Sequence, residues 1–219
     1  MIYHFQGRSY LYQKEFMRSL RYGTSKLPCD ITVITCNNRS DTVGLLIPQL
    51  KRSYIPYINI VPKNISWDNT MKISYIVEAL KKVTTKYVLI LDAFDVILDN
   101  NNSNILETFA TFRKKLVFNA SKNNYPKVNI DTIPNRDQLG PFKYLNAGCC
   151  LGETYYTLSF YKKCLDILDI DNPNKSEQFI VRHIFDKEQD CIGIDHECKI
   201  FQTMGHCTVT NVDGHWIIV

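Results

Sequence analysis

Short apolar runs alternate with amphipathic stretches along most of the chain. Continuous β-branched and apolar runs predict strands at residues 31–35, 57–61, 87–91, 116–118 and 144–151. Apolar positions that recur every three or four residues predict helices around residues 41–53, 68–80, 103–116, 158–168 and 176–184. Strands and helices alternating at this spacing favour right-handed crossovers between parallel strands. The pattern therefore predicts an α/β fold with a mostly parallel sheet flanked by helices.

This pattern also indicates where a ligand would bind, because ligands of such sheets lie beyond the carboxyl ends of the strands. The segments that follow the first three predicted strands are Thr35–Asn38, Pro62–Trp67 and Asp92–Asp95. No linker divides the chain. We expect residues 1–30 to form a helical extension packed on one domain of residues 31–219.

Composition excludes several classes of protein. The 219 residues suffice for one domain, with 45% hydrophobic and 22% charged residues as in ordinary globular proteins. A net charge of +4, without a basic stripe, argues against a nucleic-acid partner. No apolar run approaches the roughly 18 residues of a membrane helix, and the first residues do not resemble a signal peptide, so we expect a cytoplasmic location unless processing has removed a leader. The 8 cysteines lack zinc-site spacing, which favours free core thiols.

Two aspartates interrupt the apolar stretch of residues 87–98. Asp92 directly follows the clearest predicted strand, and Asp95 stands three residues later. Ionised carboxylates in apolar surroundings need a cation or several donors, and their oxygens suit Mn²⁺ or Mg²⁺. Side chains alternate along a strand, so both can reach one ion only if the backbone turns at Ala93 and Phe94. The alternative is that both aspartates cap turns or the following helix.

Four segments together resemble the collagen-lysine glycosyltransferases. Residues 87–98 look like the metal-site strand of that family, which includes the glycosyltransferase domain of the procollagen lysyl hydroxylases and the procollagen galactosyltransferases. The other matches, in the same order, are at residues 117–126, 144–148 and 194–202. The resemblance implies a GT-A fold, a UDP-hexose donor and Mn²⁺ (or Mg²⁺) bound by Asp92 and Asp95. It further implies transfer of glucose or galactose to hydroxylysine or galactosyl-hydroxylysine of a collagen-like protein.

The same resemblance implies roles for residues around the donor. Thr35 would meet the uridine, Trp67 would border the donor pocket, and Lys72 would lie near the UDP. Phe94 would pack against the nucleotide, and Asn146, on a turn, would face the sugar. Each has a plainer interpretation, such as core packing for Trp67, a solvated helix position for Lys72 and turn formation for Asn146.

Three departures from the family concern the acceptor and the metal. Glu177 stands where the family carries consecutive aspartates, so it either orients the acceptor as a catalytic residue or is a first-turn glutamate favoured by the helix dipole. Tyr125 replaces the tryptophan of a Trp-Pro pair at the acceptor side. The chain ends before the family's His-Gly-Asn-Gly segment, which supplies the third metal ligand. Truncation or loss of that segment is favoured over its replacement by His206 or His215.

Two rival functions follow from these departures. One is a catalytically silent module that binds UDP or UDP-sugar. The other is a GT-A glycosyltransferase acting on a glycan or lipid acceptor. The sequence is compatible with glucose or galactose as the hexose, with retention or inversion of configuration, and with more than one oligomeric state.

Overall fold

The computed structural model describes residues 1–19, 24–38, 44–62, 66–127, 138–172, 175–205, 209–212 and 215–218. The strands are β1 (Ile2–His4), β2 (Ile31–Cys36), β3 (Tyr57–Ile60), β4 (Tyr87–Asp92), β5 (Val96–Leu98), β6 (Leu116–Ser121), β7 (Tyr144–Glu153), β8 (Ile192–Ile194), β9 (Phe201–Thr203), β10 (Val209–Val212) and β11 (His215–Ile218). The helices are α1 (Gln13–Ser19), α2 (Leu46–Arg52), α3 (Met71–Leu80), α4 (Ile105–Thr111), α5 (Thr154–Leu165) and α6 (Glu177–Lys187), with a 3₁₀ helix at Gly7–Tyr12.

A six-stranded sheet in the order β3-β2-β4-β7-β6-β8 forms the centre of the molecule. Its strands are parallel except β7, which runs antiparallel to both of its neighbours, β4 and β6. The predicted α/β fold with a mostly parallel sheet flanked by helices is therefore confirmed.

The sheet is buried on both faces, which explains its unbroken apolar runs. In β4, Ile90 contributes to a core that it shares with α3, α5 and α6. The neighbouring Leu89 and Leu91 contribute to a second core on the opposite face, beneath α2 and α4. Side chains alternate along a strand, so a strand covered on both sides must be apolar at every position.

A second sheet of three strands, β5-β1-β9, packs beside the large one. Strand β1 is its middle strand, antiparallel to β5 and parallel to β9. We expected residues 1–30 to form a helical extension. The structure has helical turns at residues 7–19, but residues 2–4 are a central strand, and Phe5 and Phe16 are buried beside Met204. Three residues are too few for a period-two pattern to be recognised.

Strand β7 contains a bulge where we expected a turn. Phe118 of β6 pairs with Cys150, but the next residue, Asn119, pairs with Asn146. Residues 147–149 therefore have no partner in β6. The amide of Ala147 donates instead to Gln178 Oε1 at 3.1 Å, and that of Gly148 donates to Asn146 Oδ1 at 2.9 Å. These side chains satisfy the two amides locally, as a turn would.

Helices α2 and α4 are shorter than expected. Helix α2 begins at Leu46, and residues 41–43 lie outside the described part of the chain. Helix α4 ends at Thr111, and Arg113 has a φ of 52°, a left-handed value that a helix cannot include. None of the helices in the described ranges is both long and apolar enough to cross a membrane. Among the described cysteines, which are all free, Cys149, Cys150 and Cys164 are buried as core thiols and Cys29 is exposed.

Candidate functional site

A cavity of about 550 Å³ opens at the carboxyl ends of β2 and β4. Its walls are the segment after β4, the amino-terminal turns of α3 and α6, the bulge of β7 and the residues that follow β1. Pockets for small molecules occupy roughly 300–1,000 Å³ and favour this end of an open α/β sheet. The cavity is therefore of the size and in the place expected for a substrate site.

The backbone bend that two converging aspartates require is present. Strand β4 ends at Asp92, residues 93–95 form a bend, and β5 begins at Val96. Gly44 makes this path possible, because a Cβ atom at that position would lie only 2.3 Å from the carbonyl oxygen of Ala93. The bend turns Asp92 and Asp95 toward the same point.

That point is the buried ring of His4. Its Nε2 lies 3.5 Å from Asp92 Oδ2 and 3.4 Å from Asp95 Oδ2, beyond the usual length of a hydrogen bond, and has no hydrogen-bond partner among the described residues. Burial opposes protonation of His4, but the carboxylates of Asp95 and Asp92 outweigh it and raise the pKa of the imidazole to about 10. One nitrogen and two carboxylate oxygens within 4.8 Å of one another match the ligand set of a divalent cation such as Mn²⁺.

Lys72 links the aspartate cluster to the start of α6. Its Nζ lies 2.6 Å from Asp92 Oδ1 and 3.1 Å from Glu177 Oε1. Burial would lower the pKa of Lys72, but the two carboxylates raise it well above its ordinary value. Burial would raise the pKa of Asp92, but Lys72 and His4 hold it below its ordinary value. Lys72 thus engages one oxygen of Asp92 and leaves the other facing His4.

Glu177 is the most buried acid at the cavity wall, with 8% of its surface exposed. Burial raises the pKa of Glu177 to about 7, although Lys72 opposes the rise. A carboxyl group with a pKa near neutrality can both accept and donate a proton. Glu177 is also the first residue of α6, so the carboxylate and the amino-terminal helix dipole point at the same cavity.

The β7 bulge forms another wall of the cavity. Asn146 Nδ2 donates to Gln6 Oε1 at 2.5 Å, and Gln6 Nε2 donates to Ser121 Oγ at 3.1 Å. Gly148 leaves room for the acidic cluster, because a Cβ atom there would lie 2.4 Å from His4 Cε1 and 2.5 Å from Asp92 Oδ2. The bulge therefore brings bare backbone against the residues that could hold a cation.

Three aromatic residues named from the sequence line the cavity. Trp67 is half-buried, donates to Asn69 Oδ1 at 2.8 Å, and stacks on Tyr75 at 6.4 Å between ring centroids. Phe94 lies in the bend and is half-buried. Tyr125 is 54% exposed at the rim, where its carbonyl accepts a hydrogen bond from Gln178 Nε2.

Thr35 does not lie where we expected it. It is fully buried, its hydroxyl has no hydrogen-bond partner among the described residues, and Cys36 lines the cavity instead. In the register of β2 and β4, Thr35 pairs with Leu91 and Cys36 pairs with Asp92. Paired residues point to the same face of a sheet, so Thr35 follows Leu91 away from the cavity.

Sequence reasoning missed His4, Gln6 and Asn119. Asn119 Nδ2 lies 3.1 Å from His4 Nδ1, although 115 positions separate the two residues. In the sequence, only the His-Phe-Gln-Gly segment that follows a short apolar start distinguishes the region of His4. Of the two histidines weighed as substitutes for a third ligand, His206 and the side chain of His215 lie outside the described part of the chain.

Two curated relatives match part of the chain. Procollagen-lysine,2-oxoglutarate 5-dioxygenase 1 of Rattus norvegicus is 28% identical over 144 residues, which are 61% of this chain and 18% of the relative. The Mus musculus protein of the same name is 26% identical over 144 residues, with the same coverage. The chain thus spans less than a fifth of the length of these relatives.

Solved structures with a similar course of the chain include glycosyltransferases. One is a glycosyltransferase involved in the glycosylation of the major capsid of PBCV-1, with a TM-score of 0.49, 12% identity, and coverage of 76% of this chain and 81% of that one. Another is the glycosyltransferase GlyE of Streptococcus pneumoniae TIGR4, with a TM-score of 0.41, 11% identity, and coverage of 78% and 45%. We draw no conclusion from TM-scores of this size.

The family match is more extensive. The model of the family described as PLOD GT domain matches residues 66–213, which are more than half of the chain. The matched range contains Lys72, Asp92, Asp95, Asn146 and Glu177, whereas His4 precedes it. The chain belongs to the PLOD GT domain family of glycosyltransferase domains.

Proposed function

We propose that this chain transfers a hexose, glucose or galactose, from a UDP-sugar with the help of a divalent cation, Mn²⁺ or Mg²⁺. The observation that supports this most directly is the convergence of His4, Asp92 and Asp95 on one point of the cavity. Nε2 of His4 is buried and has no hydrogen-bond partner among the described residues, which is costly for a ring nitrogen unless it binds a group such as a divalent cation. Carboxylate oxygens with one imidazole nitrogen suit Mn²⁺ better than they suit soft metals.

The cation has a defined purpose in this chemistry. Bound by the three residues, it would supply positive charge beside the diphosphate while the bond between UDP and the sugar breaks. His4, Asp92 and Asp95 would hold it, and Lys72 would keep Asp92 turned so that Oδ2 faces the cation. The ammonium of Lys72 adds a second positive charge near the place where the phosphates would lie.

Other cavity residues would position the sugar, the base and the acceptor. We assign Asn146 to the sugar hydroxyls and Trp67 and Phe94 to the nucleotide, because each lines the cavity. Glu177 would orient the acceptor hydroxyl and take its proton, a role for which a pKa of about 7 is well suited. Tyr125 at the rim would contact the acceptor.

We propose hydroxylysine or galactosyl-hydroxylysine of a collagen-like protein as the acceptor. The support is the family match and the names of the two curated relatives, which are procollagen-lysine dioxygenases. The cavity is open at the side of Tyr125, which is more than half exposed, so a residue on a protein chain can reach it.

A UDP-release assay tests the proposal. We expect release from UDP-glucose or UDP-galactose that requires Mn²⁺ or Mg²⁺ and increases with a hydroxylysine-containing collagen peptide. Asp95→Asn and His4→Gln should each lower the rate at least about 100-fold, since a metal ligand and its charge are lost. Asp190→Asn, which changes an exposed acid outside the cavity, is the matched control.

Each alternative gives a different result. Tight UDP binding without release from any donor would indicate a silent binding module. Release stimulated by simple sugars or lipids, but not by collagen peptides, would replace the proposed acceptor. Equal rates for wild type, Asp95→Asn and His4→Gln would refute the role of the three residues.

A further inference from the structure

A buried chain of polar side chains runs from the cavity into the join between the two sheets. Asn119, fully buried in β6, lies between His4 and Thr203. Its Nδ2 is 3.1 Å from His4 Nδ1, and its Oδ1 is 3.0 Å from Thr203 Oγ1. Thr203 Oγ1 also donates to the carbonyl oxygen of Ala120 at 2.5 Å. Thr203 pairs with His4 in the register of β9 and β1, so backbone pairing fixes the positions of both end members of this row of polar side chains.

Counting protons determines how the amide of Asn119 must be oriented. The hydroxyl of Thr203 has one hydrogen, and the Ala120 carbonyl can only accept, so that hydrogen points at Ala120. The atom of Asn119 that faces Thr203 must therefore donate. Turning the amide by 180° exchanges its oxygen and nitrogen with almost no change in shape, and such orientations follow from the hydrogen bonds. Nδ2 then donates to Thr203, and Oδ1 faces His4 Nδ1.

We propose that Asn119 and Thr203 are positioning residues that hold a proton on Nδ1 of His4 and leave the lone pair of Nε2 free for the cation. An amide oxygen at 3.1 Å from Nδ1 requires a hydrogen on that nitrogen. The Nε2 atom, on the other side of the ring, faces Asp92 and Asp95. A histidine that binds a metal through one nitrogen usually donates its other N–H to an oxygen, which sets the tautomer and the ring orientation.

The irregular pairing of β6 explains how a strand residue reaches this position. The register between β6 and β7 shifts between Phe118 and Asn119. A shift of this kind bends a strand and changes the direction of a side chain. Phe118 remains in the core with α5 and α6, while Asn119 points to His4. The same bulge thus places Gly148 in the cavity wall and directs Asn119 toward the imidazole of His4.

The inference rests on the proposed cation site, and Mn²⁺ binding measured by calorimetry tests both separately. We expect Asn119→Leu to weaken Mn²⁺ binding about 10- to 100-fold, the usual effect of removing such support. Asn119→Asp loses the donor that faces Thr203 but retains an acceptor for the Nδ1 proton, so it should bind Mn²⁺ more tightly than Asn119→Leu. The matched control is Thr32→Val, which removes a buried, hydrogen-bonded hydroxyl at the amino end of β2, away from β1 and the cavity, and should leave Mn²⁺ affinity unchanged.

A second readout needs no variant of Asn119. Long-range ¹H–¹⁵N spectra of histidine-labelled protein with one equivalent of Zn²⁺ distinguish protonated from unprotonated ring nitrogens, and His4→Gln identifies the signal. We expect His4 with Nδ1 protonated and Nε2 bound to the metal. Metal binding through Nδ1, or equal Mn²⁺ affinity of wild type and Asn119→Leu, would overturn the inference alone. Wild type that binds no Mn²⁺ would overturn the cation site and the inference together.

Discussion

The close packing around Gly148 predicts the effect of one added methyl group. In Gly148→Ala, the new Cβ would lie 2.4 Å from His4 Cε1, 2.5 Å from Asp92 Oδ2 and 3.0 Å from Asn146 Oδ1. Ordinary contacts at a Cβ begin at about 3.4 Å. His4 and Asp92 must therefore retreat by about 1 Å. His4 is 2% exposed and sits in a middle strand, so the displacement falls largely on the Asp92 carboxylate and the bulge backbone.

The cost divides between stability and function. Overpacking of this kind typically costs about 1–3 kcal/mol, so we expect the free energy of unfolding to fall by about 2 kcal/mol. Displacing a ligand by about 1 Å lowers activity by roughly 100-fold, and we expect a comparable loss of Mn²⁺ affinity. The loss of affinity should therefore exceed what partial unfolding explains.

Calorimetric titration with Mn²⁺ and urea denaturation of the same samples separate the two effects. Gly193→Ala is the control, because its Cβ would crowd only the flexible Lys114 side chain, at 3.0 Å, and would meet Val117 at an ordinary contact distance of 3.6 Å. We expect wild-type Mn²⁺ affinity for this control. If Gly148→Ala were folded and bound Mn²⁺ as tightly as wild type, the cation could not lie between His4 and Asp92.

Three further predictions concern charged groups. Lys72→Met should lower the free energy of unfolding of metal-free protein by about 2–3 kcal/mol, because Asp92 and Glu177 lose the ammonium that they share. The figure is kept at the low end for a buried ion pair because the side chain of Asp92 is one-third exposed. Mn²⁺ should restore part of the lost stability, and equal urea midpoints for the variant and wild type would contradict this prediction. The pKa of His4 is raised from 6.5 to about 10, so its stabilisation is complete below pH 6.5 and is lost as pH rises through 10. The free energy of unfolding, from urea denaturation with chelator, should fall over this range by at most about 5 kcal/mol in wild type and change less in His4→Gln. Asp195→Asn should lower the free energy of unfolding, measured by urea denaturation, by about 2–3 kcal/mol, because its buried carboxylate accepts the amides of residues 199–201; an unchanged free energy would contradict this.

The large sheet could be predicted because its signal is local. A strand covered on both faces must be apolar at every position, and residues 87–91 meet that condition within five neighbouring letters. The need for a bend between Asp92 and Asp95 followed from the alternation of side chains alone. Glu177 is also identified through the resemblance, at the position of the family's consecutive aspartates, and it lies 3.1 Å from Lys72.

The remaining features depend on contacts between distant segments. His4 lies beside Asp92, which is distant in sequence, because β1 inserts between β5 and β9. The three residues of β1 do not indicate which strands they will pair with. The direction of Thr35 depends on its register with Leu91, which the sequence does not specify. The expected turn at Asn146 became a bulge because Gln178, on a separate helix, satisfies the freed amide of Ala147.

The bend between β4 and β5 is also the covalent link between the two sheets. Asp92 belongs to the large sheet, His4 to the small one, and Asp95 to the connection. At the proposed cation site, affinity for Mn²⁺ would consequently depend on how firmly the small sheet is docked. Damage to docking residues such as Ile2 or Phe201 would then weaken cation binding in a molecule whose large sheet is still folded.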